Sequence, residues 1–213
     1  MKYTRQDYLS DCADPTMAHT KDKERFRAFY NELGNDPIQK AQSYRPDLIE
    51  FITPKGRIIE LGCHIGFNTI HFASQGFMAI GVDIAETLIA EARNLRSFAR
   101  QDVQDRVSFI TSDILDLDVE ELGLFDTIIL TETLEHVIDP LPILAKAKEL
   151  LSPGGSVFVS APSTRTGTYS HVRGVTVGDM QKMANSLALQ TQVISSGENT
   201  QVILRHLVSG EIK

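Results

Sequence analysis

Glu60-Leu61-Gly62-Cys63-His64-Ile65-Gly66 is the stretch whose reading decides the fold. Ahead of it, Arg57 to Leu61 reads as a short β-strand; behind it, Asn68 to Ser74 reads as a helix. The glycines between let the backbone turn sharply and approach a ligand where a Cβ would collide. A glycine-containing turn of this kind also occurs where nothing binds. The interpretation therefore rests on the residues downstream of the turn.

Outward from that turn, short apolar runs alternate with amphipathic stretches. Phe77 to Val82, Val107 to Thr111, Phe125 to Leu130 and Ser156 to Ser160 read as further strands. Between them Glu86 to Arg100 and Pro140 to Leu151 read as helices, the second ended by Ser152-Pro153-Gly154-Gly155. Strands alternating with helices of this length imply parallel βαβ units, because parallel neighbours need a crossover. After a helix at Thr176 to Leu187, Ala188 to Ile194 and Gln201 to Val208 read as two strands around Gly197. This predicts an antiparallel hairpin at the edge of a parallel sheet. Upstream, Lys21 to Leu33 and Ile38 to Phe51 read as helices. The expected architecture is α/β and Rossmann-like. It has a seven-stranded, mostly parallel sheet with a C-terminal antiparallel hairpin and helices on both faces. Residues 1–52 form an N-terminal helical cap and residues 53–213 the domain itself.

Composition narrows the function. The chain has 213 residues, is 42% hydrophobic and carries a formal net charge of −7, as an ordinary globular domain does. Long nucleic-acid contacts draw on a basic face. The one basic cluster, Lys21, Lys23, Arg25 and Arg27, is interleaved with Asp22 and Glu24. The balance favours a small-molecule partner over nucleic acid. No apolar run approaches the roughly 20 residues that span a bilayer, so no membrane insertion is expected. Cys12 and Cys63 supply no disulfide framework, and Met1 to Ser10 has no apolar signal core. A reducing cytoplasm is the expected location; oligomeric state is not legible.

Two acids come after the glycine turn, at the ends of the next two strands. Asp83 stands where an acidic side chain holds both hydroxyls of a ribose. Ser112-Asp113-Ile114 comes after the third strand, where Asp113 can accept from an adenine amino group and Ile114 can pack on the ring. Taken singly, Asp83 is equally an N-cap and Asp113 a turn residue; their succession after consecutive strands is the informative feature. Together with Leu151-Ser152-Pro153-Gly154-Gly155, these segments resemble the successive signatures of the class I S-adenosylmethionine-dependent methyltransferases. The resemblance runs from about Arg45 to the C-terminus, with one departure: the family usually has glycine where this chain has His64. A nicotinamide dehydrogenase would show Gly-x-Gly-x-x-Gly, and here positions 64 and 67 are His64 and Phe67.

The resemblance implies S-adenosylmethionine as cofactor. It implies a cofactor site built from Glu60, Gly62, Cys63, His64, Gly66, Asp83, Ile84, Asp113, Ile114 and Thr131. Tyr44 and Arg45 would lie near the methionine carboxylate. Thr131-Glu132-Thr133-Leu134-Glu135-His136-Val137-Ile138-Asp139-Pro140 further resembles a signature of the ubiquinone-biosynthesis O-methyltransferases and their relatives. Glu132, Glu135 and His136 stand at i, i+3 and i+4, so one helical turn would point all three to one side. Two carboxylates and an imidazole suit Mg²⁺ or a similar divalent metal. The alternative is a metal-free loop in which His136 acts as base. His171 is a candidate fourth ligand or base, from a polar insertion that also holds Arg165, Tyr169 and Arg173.

The expected activity is methyl transfer from S-adenosylmethionine to a small-molecule acceptor, at oxygen with nitrogen as the alternative, and with His136 or His171 as catalytic base for a hydroxyl. Two other readings stay open: a metal-assisted RNA 2′-O-methyltransferase, and a non-catalytic methyltransferase-like binding subunit.

Overall fold

A computed structural model of the chain describes residues 49–165 and 171–207. The element order is β1 (Arg57–Leu61), α1 (Phe67–Ser74), β2 (Met78–Asp83), α2 (Glu86–Ser97), α3 (Gln101–Gln104), β3 (Val107–Thr111), α4 (Val119–Leu122), β4 (Phe125–Thr131), α5 (Leu141–Leu150), β5 (Leu151–Pro162), α6 (Val177–Ser186), β6 (Leu189–Ser196) and β7 (Asn199–His206). Short 3₁₀ turns lie at Ile114–Asp116 and Leu134–His136. The strands form one seven-stranded sheet in the order β3-β2-β1-β4-β5-β7-β6. The first five pair in parallel, and β7 runs antiparallel to both β5 and β6. The Rossmann-like sheet, its terminal hairpin and helices on both faces are as the sequence predicts.

The apolar alternation of the strands feeds two cores. On β4, Ile128 and Leu130 point to one face and Ile129 to the other; on β5, Val157 and Val159 oppose Phe158. Helices α5 and α6 cover the first face through Leu144, Ala147, Met180 and Ala184. Helices α1 and α2 cover the second through Phe72, Ala73, Ile89 and Ala92. Each fully buried large aliphatic or aromatic side chain here is worth about 1.5–3 kcal/mol. Ile49 and Ile52 join the second core, and the Phe51 ring meets that of Phe158 at a tilt, with centroids 5.9 Å apart. The helix expected at Lys21 to Leu33 and most of the one expected at Ile38 to Phe51 lie outside the described residues; the last three residues of the second form a turn, closed by Ile52 N on Ile49 O.

Several boundaries differ from the sequence reading, three of them by more than a residue or two of fraying or for a visible reason. Helix α2 stops at Ser97, not Arg100, because the Arg96 guanidinium and the Gln104 amide bind Gln104, Ser97 and Ala99 carbonyls and close a corner. Strand β5 begins at Leu151 directly after α5, and the expected Ser-Pro-Gly-Gly turn is an irregularity inside it. Ser152 Oγ donates to Asp126 Oδ1 at 2.8 Å and ties that irregularity to β4. The β6–β7 hairpin turns tightly, through Gly197 and Glu198 alone.

Strand order reverses between β1 and β4, so the connections leaving their carboxyl ends run to opposite sides, the place where a crevice forms in sheets of this kind. The glycine turn, Asp83, Asp113 and the segment after β4 end there or beside it, whereas Leu151 to Gly155 lies at the opposite end of the sheet, with Leu151 paired to Phe125 at the start of β4.

Candidate active site

The turn after β1 is shaped by its own neighbours as well as by space for a ligand. Gly62 has φ +84°, and a Cβ on it would lie 2.6 Å from Thr133 Oγ1. Gly66 has φ +76°, caps α1, and leaves no room beside Phe109. His64 also takes a left-handed conformation, at φ 52°. An imidazole there is strained backbone where glycine would be relaxed. Burial lowers its pKa to about 4, so the ring is neutral. Cys63 is buried, and burial raises its thiol well above the ordinary range.

Asp83 binds this turn to β2. Its Oδ2 accepts from His64 N at 2.9 Å and its Oδ1 from Ala85 N at 3.0 Å. Burial raises its carboxyl to about 6 despite those bonds. Glu60 is 1% exposed inside the crevice. Its two oxygens accept from Asn68 Nδ2 and Thr69 Oγ1, yet burial holds its pKa at about 7. Asp113 is buried at the end of β3 and accepts from Leu115 N as the cap of the 3₁₀ turn. Ile84 and Ile114 are half-buried beside these acids, and Thr131 is buried at the tip of β4. The expected cofactor residues that are described thus lie along the carboxyl ends of β1 to β4. Tyr44, Arg45 and Tyr169 lie outside the described residues.

The segment after β4 departs from the single helical turn of the sequence reading. Glu132 lies before the 3₁₀ turn at φ 50°, its amide bonded to Ser160 O at 2.9 Å. The turn proper carries Glu135 and His136. Val172 N and Arg173 N both donate to Glu135 O, which swings the loop after β5 across and brings His171 in. Glu135, His136 and His171 then offer three ligand atoms within 4.8 Å of one another. The two imidazole Nε2 atoms stand 3.7 and 4.0 Å from Glu135 Oε1. The rings meet edge to face, with centroids 4.8 Å apart.

Glu135 is completely buried. Burial first, then the charge of Glu132 and a carboxyl–carboxyl hydrogen bond with it, raises its pKa well above the ordinary value. A pair that shares a proton in this way would release it to a cation. Burial also lowers the pKa of His171, which keeps the ring neutral and able to act as ligand or base.

Asn68, Thr69 and Thr133 are the site residues that the sequence reading missed. Thr133 Oγ1 donates to Leu61 O or Thr131 O, each at 3.1 Å, and so pins β1 to β4. A buried acid at position 60 demands donors, but nothing local in the sequence marks Asn68 and Thr69 as those donors.

The profile of a methyltransferase-domain family matches residues 24–196. The ubiquinone biosynthesis O-methyltransferase of Xanthomonas campestris pv. campestris (strain B100) is 30% identical over 149 residues, 67% of this chain. That alignment spans 61% of the relative's length. Among solved structures, magnesium protoporphyrin IX methyltransferase from Synechocystis PCC 6803 superposes with TM-score 0.65 at 18% identity, over 86% of this chain and 97% of that one. A glycopeptide N-methyltransferase crystallised with S-adenosylmethionine gives 0.64 at 15% identity, over 76% and 87%. At those identities the likeness is one of fold. The family match covers most of the residues that build the crevice, and the chain belongs to the methyltransferase-domain family.

Proposed function

We propose that this chain transfers a methyl group from S-adenosylmethionine to an oxygen of a small-molecule acceptor. In this reading Asp83 holds the ribose hydroxyls, Asp113 the adenine amino group, and Thr131 lines the path to the reacting centre. Gly62, Cys63, His64 and Gly66 supply the backbone that lies along the cofactor. The relatives at 30% identity carry the name O-methyltransferase, and the net charge of −7 disfavours a long nucleic-acid acceptor.

The observation that carries the reading is the Glu135 cluster, a fully buried acid facing two imidazoles at the mouth of the crevice. Its donor set fits a divalent metal. Ligands about 2.0–2.2 Å from an ion lie up to about 4.4 Å apart; the two imidazole Nε2 atoms stand 3.7 and 4.0 Å from Glu135 Oε1, and the widest separation, within 4.8 Å, closes with a shift of a few tenths of an ångström. Glu135, His136 and His171 would hold the ion, with Glu132 next to them. A bound divalent ion would lower the pKa of an acceptor hydroxyl. The protein's own share is to hold that hydroxyl in line with the methyl group; with no ion bound, the His171 ring, which burial keeps neutral, can take its proton instead.

Calorimetry with S-adenosylmethionine, with and without Mg²⁺ or Mn²⁺, tests both halves. Micromolar binding of the cofactor is expected; no binding by the folded protein would leave a non-catalytic methyltransferase-like subunit. Once an acceptor is found, turnover should fall on chelation and return with the ion. Replacing His136 by Asn should then weaken ion binding and turnover together. Turnover indifferent to chelators would reject the metal and leave His136 or His171 as a simple base.

A further inference from the structure

The amino ends of the parallel strands, opposite the crevice, form a second concave surface. Arg57 opens β1, Met78 β2, Val107 β3 and Phe125 β4, and all four line a groove of about 280 Å³. The connection from β3 to β4 carries only a 3₁₀ turn and the four-residue α4, and Met78 and Ser108 stay exposed. Met78 is 54% exposed although β2 is an interior strand of the sheet. Phe98 is 81% exposed on the corner that the Gln104 amide closes at the rim of the groove. Large apolar side chains left open among polar ones mark a surface that meets a partner.

The groove is basic in a chain of net charge −7. Arg57, Arg96 and Arg106 line it, together with Asp105. No carboxylate pairs with Arg57 or Arg96 among the described residues. Arg106 and Arg100 share one acid, Asp102, each at 3.0 Å. Asp126 accepts from the Arg57 backbone amide and the Ser152 hydroxyl, and Lys55 stands with Arg57 against its charge.

Carbonyls hold both of these guanidiniums in place. Arg57 Nη1 and Nη2 donate to Leu124 O and Leu122 O, each at 3.0 Å, with the Phe125 ring centroid 4.7 Å away. Arg96 Nε and Nη2 donate to Gln104 O at 3.0 and 2.6 Å. A guanidinium has five N–H groups, so each keeps donors for an anion, and a carbonyl leaves its positive charge uncancelled. Cations fixed in advance lose little freedom when an anion arrives.

We propose that this groove docks an acidic segment of a partner protein, with an apolar side chain seated on Met78 and carboxylates on Arg57 and Arg96. Size favours a side chain as the occupant, because about 280 Å³ falls below the roughly 300–1,000 Å³ of small-molecule pockets. Nucleic acid is the poorer match. Asp102 and Asp105 would face its run of phosphates, and Met78 and Phe98 would meet no apolar side chain. Docking at this end of the sheet leaves the crevice open.

The test uses the full chain with carbon-13 in its methionine methyl groups, which makes Met78 a reporter inside the groove. The probes are synthetic peptides acetyl-Asp-Glu-X-Asp-Glu-amide, with X each apolar residue in turn, and their asparagine and glutamine counterparts. At least one acidic peptide should shift the Met78 resonance to saturation and bind about tenfold tighter than its neutral counterpart. Raising salt from about 0.05 to about 0.5 M should weaken it. With that peptide fluorescently labelled, anisotropy should show Arg96→Gln binding about threefold to tenfold more weakly. Met78→Glu, at an exposed position, should weaken it at least as much and serves if Arg96→Gln does not fold. Acidic peptides that bind no better than their neutral counterparts would overturn the proposal, as would an affinity that survives both substitutions. A short oligouridylate that shifts Met78 at lower concentration than any peptide would make the groove a nucleic-acid surface and overturn it too.

Discussion

Glu60→Gln should make the ligand-free protein more stable at pH 8, and leave it no more stable at pH 4.5. Glu60 is 1% exposed, on a central strand of the sheet. Burial raises its pKa from 4.5 to about 7, outweighing the hydrogen bonds from Thr69 and Asn68. The folded state therefore holds this proton more tightly than the unfolded chain does. The stability so gained is fully present below about pH 4.5 and is lost as pH rises through about 7. A pKa rise of about 2.5 corresponds to about 3 kcal/mol at 1.36 kcal/mol for each pH unit. Glutamine keeps an oxygen to accept from Asn68 and presents an amide to the Thr69 hydroxyl, which can turn to accept. It carries no charge to desolvate at any pH. Urea unfolding of both proteins at several pH values between 4.5 and 8 measures the difference. It should move by about 2–3 kcal/mol in favour of the variant across that range. Asp83, pushed up to about 6 by burial, adds a slope of the same sign that both proteins share, so it largely cancels. Parallel stability curves for the two proteins would refute the reasoning, because the buried proton would then lie elsewhere.

Asp83→Ala should weaken S-adenosylmethionine binding by about 2–3 kcal/mol, since charge-assisted bonds to two hydroxyls vanish. An unchanged dissociation constant in the folded variant would remove the ribose assignment. Gly66→Ala should lower stability by about 2–4 kcal/mol, from a side chain held at φ +76° and a Cβ 2.4 Å from the Phe109 ring. A thermal midpoint within about a degree of wild type would show that Phe109 yields freely. Chelation and the His136→Asn variant together decide between metal and base: joint loss of ion binding and turnover means metal, and chelator-insensitive turnover means base.

The acids after β2 and β3 were readable because each lies at the end of an apolar run, where chain direction alone fixes which end of the sheet it reaches. Asn68 was not readable in that way. Its importance comes from Glu60, eight residues away and on another element, and no local spacing marks an amide as the partner of a buried acid. The turn after β4 misleads for a related reason. The i, i+3, i+4 spacing of Glu132, Glu135 and His136 reads as one helical face, but Glu132 is drawn out of the turn by its bond to Ser160 on β5. A strand neighbour overrides local periodicity there. Helix α2 ends early for the same kind of reason, through side chains that bind carbonyls beyond its end.

What the sequence by itself determined is the order of strands and helices, the parallel sheet with its antiparallel hairpin, and the family. These come from hydrophobic periodicity and from short motifs whose residues are neighbours in the chain. The tertiary structure decided which side chains face one another. His171 stands more than thirty residues beyond Glu135 and reaches it because the backbone amides of Val172 and Arg173 close on Glu135 O. Asn68 finds Glu60 because α1 packs back over β1. Convergence of that kind is set by packing between elements, and the periodicity within any one element does not encode it.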